Sequence, residues 1–129
     1  MPDILDPDYV LHRFIAGLHV STANAYRAGE DIGRSEGRRL AGEYLRRTQP
    51  RTLMEAENGF RAEMQRIYGE PRESFFFMER RMLDRLPEGQ FKTEARRILE
   101  QMTEGAVHGY NAGVADQMAA YGHYIRLFG

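Results

Sequence analysis

The chain has 129 residues, of which 42% are hydrophobic and 29% charged, with a formal net charge of -1 and no cysteine. That length suits one domain, 1–129, burying roughly two-thirds of its unfolded surface, and the composition is that of a folded chain rather than a disordered one. The missing cysteines exclude disulfides, thiolate metal sites and thiol nucleophiles, and the near-zero charge gives no global attraction to nucleic acid or anionic membranes.

The opening stretch, MPDILDPDYV, carries acids where a signal peptide would need a basic region followed by an apolar one. No apolar run approaches the ~20 residues that would span a bilayer. The expectation is a cytoplasmic protein with no membrane partner. Of the 18 basic residues, 17 are arginine and only Lys92 is lysine. Arginine is the better ligand for phosphate and carboxylate, but codon use in a GC-rich genome is the simpler source of the bias.

Asp6-Pro7-Asp8 reads as a helix start, with Asp6 as N-cap and Pro7 in the first helical position. Leu11, Phe14, Ile15 and Leu18 follow at helical spacing, and no proline interrupts before Pro50. The first helix is therefore expected over about 7–46, straight or bent near Ser21-Thr22. Thr52-Leu53-Met54-Glu55 is a capping box that opens a second helix. Met54, Phe60, Met64 and Ile67 give it an apolar face, and Tyr68-Gly69-Glu70-Pro71 stops it. A short third helix is expected from Pro71 to Leu86, and a long fourth over about 90–127 with Phe91, Ala95, Ile98, Leu99 and Met102 on one face. No alternating strand pattern or hairpin turn is present. The fold class is all-α: a bundle of about four helices, two long ones flanking two short.

Two strips of small residues four apart stand out: Ala25, Gly29, Gly33 and Gly37, then Gly105, Gly109 and Gly113. Each helical glycine costs about 1 kcal/mol relative to alanine, so close approach of a neighbouring helix must offset several. The long helices are expected to pack on each other through these strips, within one chain or across a dimer. The charged residues Glu30, Asp31, Arg34 and Glu36 between them exclude a membrane dimer. Each step of four drifts about 40° around a straight helix, so Gly29, Gly33 and Gly37 can meet one partner, whereas the full run of small residues from Gly17 to Ala41 cannot meet one straight partner. Ridges of this spacing favour a crossing near -50°. The row Ala28, Ile32, Leu40 and Tyr44 should extend the buried face, with Glu36 its misfit. Repeated Gly-x-x-x helices occur in some adaptor proteins, a likeness confined here to the strip.

Candidate chemistry is thin. His12 and His19 share a helix face, and Glu104, His108 and Asp116 lie along one i, i+4 row. Facing rows would make a histidine–carboxylate metal site conceivable, but the Glu-x-x-His signature of di-iron bundles is absent, and no metal or other cofactor is expected. No nucleophile elbow, Walker loop, His-Glu-x-x-His or dinucleotide motif occurs, so no catalytic residue is assigned. Arg34, Arg38, Arg39, Arg46, Arg47 and Arg51 form the most basic stretch. They would suit phosphates or an acidic partner, although Glu43 can pair with Arg38 or Arg47 locally. Phe75, Phe76 and Phe77 span about 200° on a continuous helix. With Met78 and Met82 they are candidates for an oligomer or partner interface.

The reading is a non-enzymatic protein–protein interaction module: an adaptor, an assembly subunit, or an inhibitor of the kind phage and mobile elements encode to block a host protein. A homo-oligomer is expected, a dimer first. The alternatives are a nucleic-acid-associated protein using the 34–51 arginines and a helical binder of a metal or small ligand using His108.

Overall fold

A computed structural model describes residues 22–129, and among these the chain is all helical. Helix α1 covers Thr22–Thr48, α2 Leu53–Tyr68, α3 Pro71–Ser74, α4 Phe77–Asp84 and α5 Gln90–Phe128. The expected start of the first helix at Pro7, with its apolar residues Leu11 to Leu18, lies outside the described residues.

The two long helices pack closely. A Cβ added to Gly29, Gly33 or Gly37 would stand 2.0, 2.0 and 2.4 Å from the carbonyl oxygens of Met102, Ala106 and Tyr110. In return, Gly105, Gly109 and Gly113 lie against the carbonyls of Tyr26, Glu30 and Arg34, at 2.0, 2.0 and 2.3 Å by the same measure. Each step of four along α1 meets a step of four along α5, and both numbers rise together. The two helices therefore run parallel, within one chain.

Gly29, Gly33 and Gly37 thus meet one partner, as their small drift of about 80° allows, while the start of the longer run at Gly17 and Ser21 lies outside the described residues. A four-residue repeat exceeds the 3.6 of the helix, so two helices that keep it must wrap about each other in the right-handed sense. The near-constant distances over three steps also argue against a steep crossing near -50°, which would carry the backbones apart within a few residues.

A parallel pair needs a return path, and residues 49–89 supply it. Gln49, in the left-handed region at φ 46°, turns the chain out of α1. Thr52 caps α2 by accepting a hydrogen bond from the Glu55 amide at 3.1 Å. The Glu55 carboxylate accepts from the Arg51 amide at 3.2 Å, one residue earlier than the capping box predicts. Helix α2 then runs antiparallel to α5: Leu53 packs near Gly122, and Phe60 stacks on Tyr110 at 6.5 Å. Its buried residues are Ala56 and Phe60, whereas Met54 and Ile67 are 73% and 49% exposed, a narrower face than the sequence suggests. Gly69, at φ 74°, ends it.

The single third helix expected from Pro71 to Leu86 is two helices, broken at Phe75-Phe76. Phe76 takes a left-handed conformation (φ 57°, ψ 33°), uncommon for a bulky residue. The break lets the chain aim Phe75 and Phe76 inward together. Phase arithmetic for a continuous helix does not apply across it.

The core is a chain of three clusters along the α1–α5 pair. Ala25, Ile98 and Met102 form one, and Leu83, Leu86, Ala95 and Leu99 a second, with Phe76 packed against both. The third holds Ala41, Leu45, Ala56, Phe60, Tyr110 and Met118. The row beside the first strip is only partly covered: Leu40 and Tyr44 pack on the third cluster, but Ile32 is 40% exposed. Lys92 is buried, its Nζ donating to the Leu86 carbonyl at 3.1 Å and to Glu88 Oε1 at 2.9 Å. It ties the chain beyond α4 to the first turn of α5.

Candidate interaction surface

The basic stretch on α1 does not form one cationic face. Arg38 pairs with Asp116 of α5 at 2.9 Å, Arg39 with Glu36 at 2.8 Å and Glu43 at 3.3 Å, and Arg47 with Glu63 of α2. The local pairs expected from Glu43 to Arg38 or Arg47 give way to these. Arg39 is held still more firmly protonated than usual by its hydrogen bond to Glu36. Arg34 is half-buried beside the glycine strip. Among the described residues, Arg34, Arg46 and Arg51 have no carboxylate partner, and of these Arg46 and Arg51 stand at the far end.

The α5 row of Glu104, His108 and Asp116 is likewise divided among neighbours. Glu104 pairs with Arg72 at 2.7 Å, Asp116 with Arg38, and His108 Nδ1 lies 2.8 Å from Glu30 Oε2. These side chains do not converge, and among the described residues no group of three or more metal-ligating side chains does. His12 and His19 lie outside the described residues.

The phenylalanines separate by role. The residue of the three that stays outside is Phe77. Phe75 sits edge-on to Tyr110 at 6.0 Å, and Phe76 joins the two upper core clusters. Phe77 and Met78 are 51% and 57% exposed, with the Arg81 guanidinium 5.5 Å over the Phe77 ring, and Met82 is half-buried.

A surface that no sequence motif marks lies at the other end of the molecule. Because α1 and α5 are parallel, both C-termini emerge together, and α5 continues past the last residue of α1. There Tyr121, Tyr124 and Phe128 form a ladder on one helix face, with ring centroids 5.9 and 5.2 Å apart. Tyr124 and Phe128 are 55% and 75% exposed, and Leu127 beside them 62%. Tyr121 is the fixed rung, its hydroxyl donating to the Pro50 carbonyl in the α1–α2 turn at 2.5 Å. Burial, and then the neighbouring Tyr124, push the Tyr121 hydroxyl pKa upward.

Beneath the ladder runs a groove of about 660 Å³ between the end of α1, the α1–α2 turn and α5. Leu45, Pro50, Ala120 and Ile125 give it apolar walls, and Arg46, Gln49, Arg51 and Gln117 its polar groups. The Arg46 guanidinium folds back over Gly42, where an added Cβ would stand 3.3 Å from Nη1 and 3.5 Å from Gln117 Oε1. The spacing of 121, 124 and 128 is visible in the sequence, but it reads equally well as more core. Only the shorter length of α1 leaves these rings uncovered.

No protein-family model, curated protein or solved structure matches the chain. No described helix is long and apolar enough to cross a membrane.

Proposed function

We propose that this chain is a non-enzymatic protein–protein interaction module, an adaptor, inhibitor or assembly subunit, whose working surface is the aromatic end of α5 with the α1–α2 turn. The observation that carries the reading is the exposed ladder Tyr121–Tyr124–Phe128, set over an apolar groove. Contiguous exposed apolar surface with a polar rim marks interaction sites, and Tyr, Phe and Arg are the residues enriched in them. The anchoring of Tyr121 to Pro50 preorganises the patch, which lowers the entropy lost on docking. Phe77 and Met78 on α4 make a smaller, separate exposed pair. A second copy of the chain docking on the same end is the dimeric form of this reading.

The nucleic-acid alternative rests on the 34–51 arginines, and three of the six are engaged by carboxylates. That weakens a cationic track, because each phosphate contact needs an available cation.

The test places a photo-crosslinking amino acid at position 124 or 128 of the full chain in its native host, with position 94 as an exposed control on α5. The reading expects a discrete adduct from 124 and 128 and none from 94. An adduct at twice the 14.9 kDa chain mass identifies a second copy. Equal labelling at all three positions overturns the assignment of this surface.

A further inference from the structure

Resting on the interaction reading above, we infer that the groove below the aromatic ladder receives an acidic amphipathic segment of a partner protein. Its apolar side lies on Leu45, Pro50, Tyr121 and Ile125, and its carboxylates on Arg46 and Arg51. The argument is charge complementarity. No side-chain carboxylate lines this groove, although it contains two arginines. Elsewhere on α1, Arg38, Arg39 and Arg47 each find an acid within the fold. Arg46 and Arg51, which have none, both line the groove where the apolar surface is open.

Their placement distinguishes them further. Arg46 lies in the last turn of α1, where it offsets the negative end of the helix dipole. Arg51 lies past the helix end and has no such task. The exposed Arg46 side chain brings its guanidinium over Gly42 at the groove, beside the Gln117 amide oxygen. A planar guanidinium in that position can grip a carboxylate with two parallel hydrogen bonds.

Two cations among Leu, Ile, Pro and Tyr suit a segment with one or two acids and several apolar anchors. An amphipathic helix presenting anchors at i, i+3 and i+4 has that composition. A nucleic-acid strand would need a row of cations following its backbone, which the lining does not contain.

The test displays random 16-residue peptides to the immobilised full chain, in parallel with the doubly substituted Arg46→Glu, Arg51→Glu chain and with the neutral pair Arg46→Gln, Arg51→Gln. Circular dichroism of each variant checks that the helices remain. The expected peptides are rich in Asp and Glu, with apolar residues three and four apart. Charge reversal should weaken them at least about tenfold, with the neutral pair intermediate and added salt acting in the same direction. Recovered peptides with no acidic bias, or equal affinity for the charge-reversed chain, overturn the inference. So does recovery of no peptide. Equal crosslinking at 94, 124 and 128 would instead remove the interaction reading beneath it.

Discussion

Gly33 lies directly against Ala106: a Cβ on the glycine would stand 2.0 Å from the Ala106 carbonyl oxygen and 2.7 Å from its carbonyl carbon. Both atoms are backbone, in the middle of the other long helix, so nothing flexible can yield. On an exposed helix the change from glycine to alanine stabilises by about 1 kcal/mol.

At Gly33 the sign should reverse. Gly33→Ala is expected to lower stability by at least about 1–3 kcal/mol, the usual range for overpacking, because the helices must separate to admit a methyl group. Gly122→Ala is the control. Its Cβ would meet only the Leu53 side chain, 3.3 Å away at Cδ2, which can rotate, so the urea midpoint should hold or rise. Equal midpoints for the two variants would mean that the strip does not set the helix separation.

Lys92 should matter more than a single lysine usually does. Lys92→Met leaves the Leu86 carbonyl and Glu88 without their buried donor, an expected loss of about 1–3 kcal/mol by chemical denaturation. Arginine should not restore it, because a planar fork does not reproduce a compact ammonium among these acceptors. The hydrogen bond from Lys92, and then its charge, hold the Glu88 carboxyl below its usual value of 4.5. That contribution is present above pH 4.5 and fades as pH falls through the lower folded value, so the methionine variant should lose this part of the acid sensitivity.

Tyr110 provides an alkaline signature. Burial, with Tyr68 adding to it, pushes its hydroxyl from 10.0 up to about 12. A raised pKa gives a contribution fully present below pH 10.0 and lost as pH climbs toward about 12. Thermal unfolding across that window should show a fall that Tyr110→Phe reduces. Absorbance titration of the seven tyrosines should show a component near pH 12 that the phenylalanine variant lacks, while the upward shift of Tyr121 remains.

The broken phenylalanine segment makes unequal variants. Phe75→Ala removes a ring packed on Tyr110 and should cost about 2–3 kcal/mol, a half-buried site falling below the usual range for core phenylalanines. Phe77→Ser should change stability by no more than about 0.5 kcal/mol. Parity in a thermal scan would argue against the break at Phe76.

Particular residues show how far the sequence could be read. Thr52 and Gly69 mark the ends of α2 because caps are local: a hydroxyl reaching an amide three residues on, and a residue free to take a positive φ. The length of α5 follows from unbroken periodicity without proline. Phe76 was illegible because nothing local favours a left-handed phenylalanine; two core clusters reached at once hold it there. Arg38 and Arg47 looked like part of a basic face because their partners, Asp116 and Glu63, lie on other helices.

The glycine strips, the helix caps and the absence of a catalytic signature are properties of neighbouring residues, and the sequence by itself determined them. The all-helical class follows from the same short-range physics of spacing and backbone propensity. Tertiary structure alone decided that the strips meet each other in parallel within one chain, since that depends on how residues 49–89 return. It also decided which arginines are neutralised and which rings stay uncovered. Those outcomes depend on where one helix ends relative to its neighbour, a distance that no local pattern encodes.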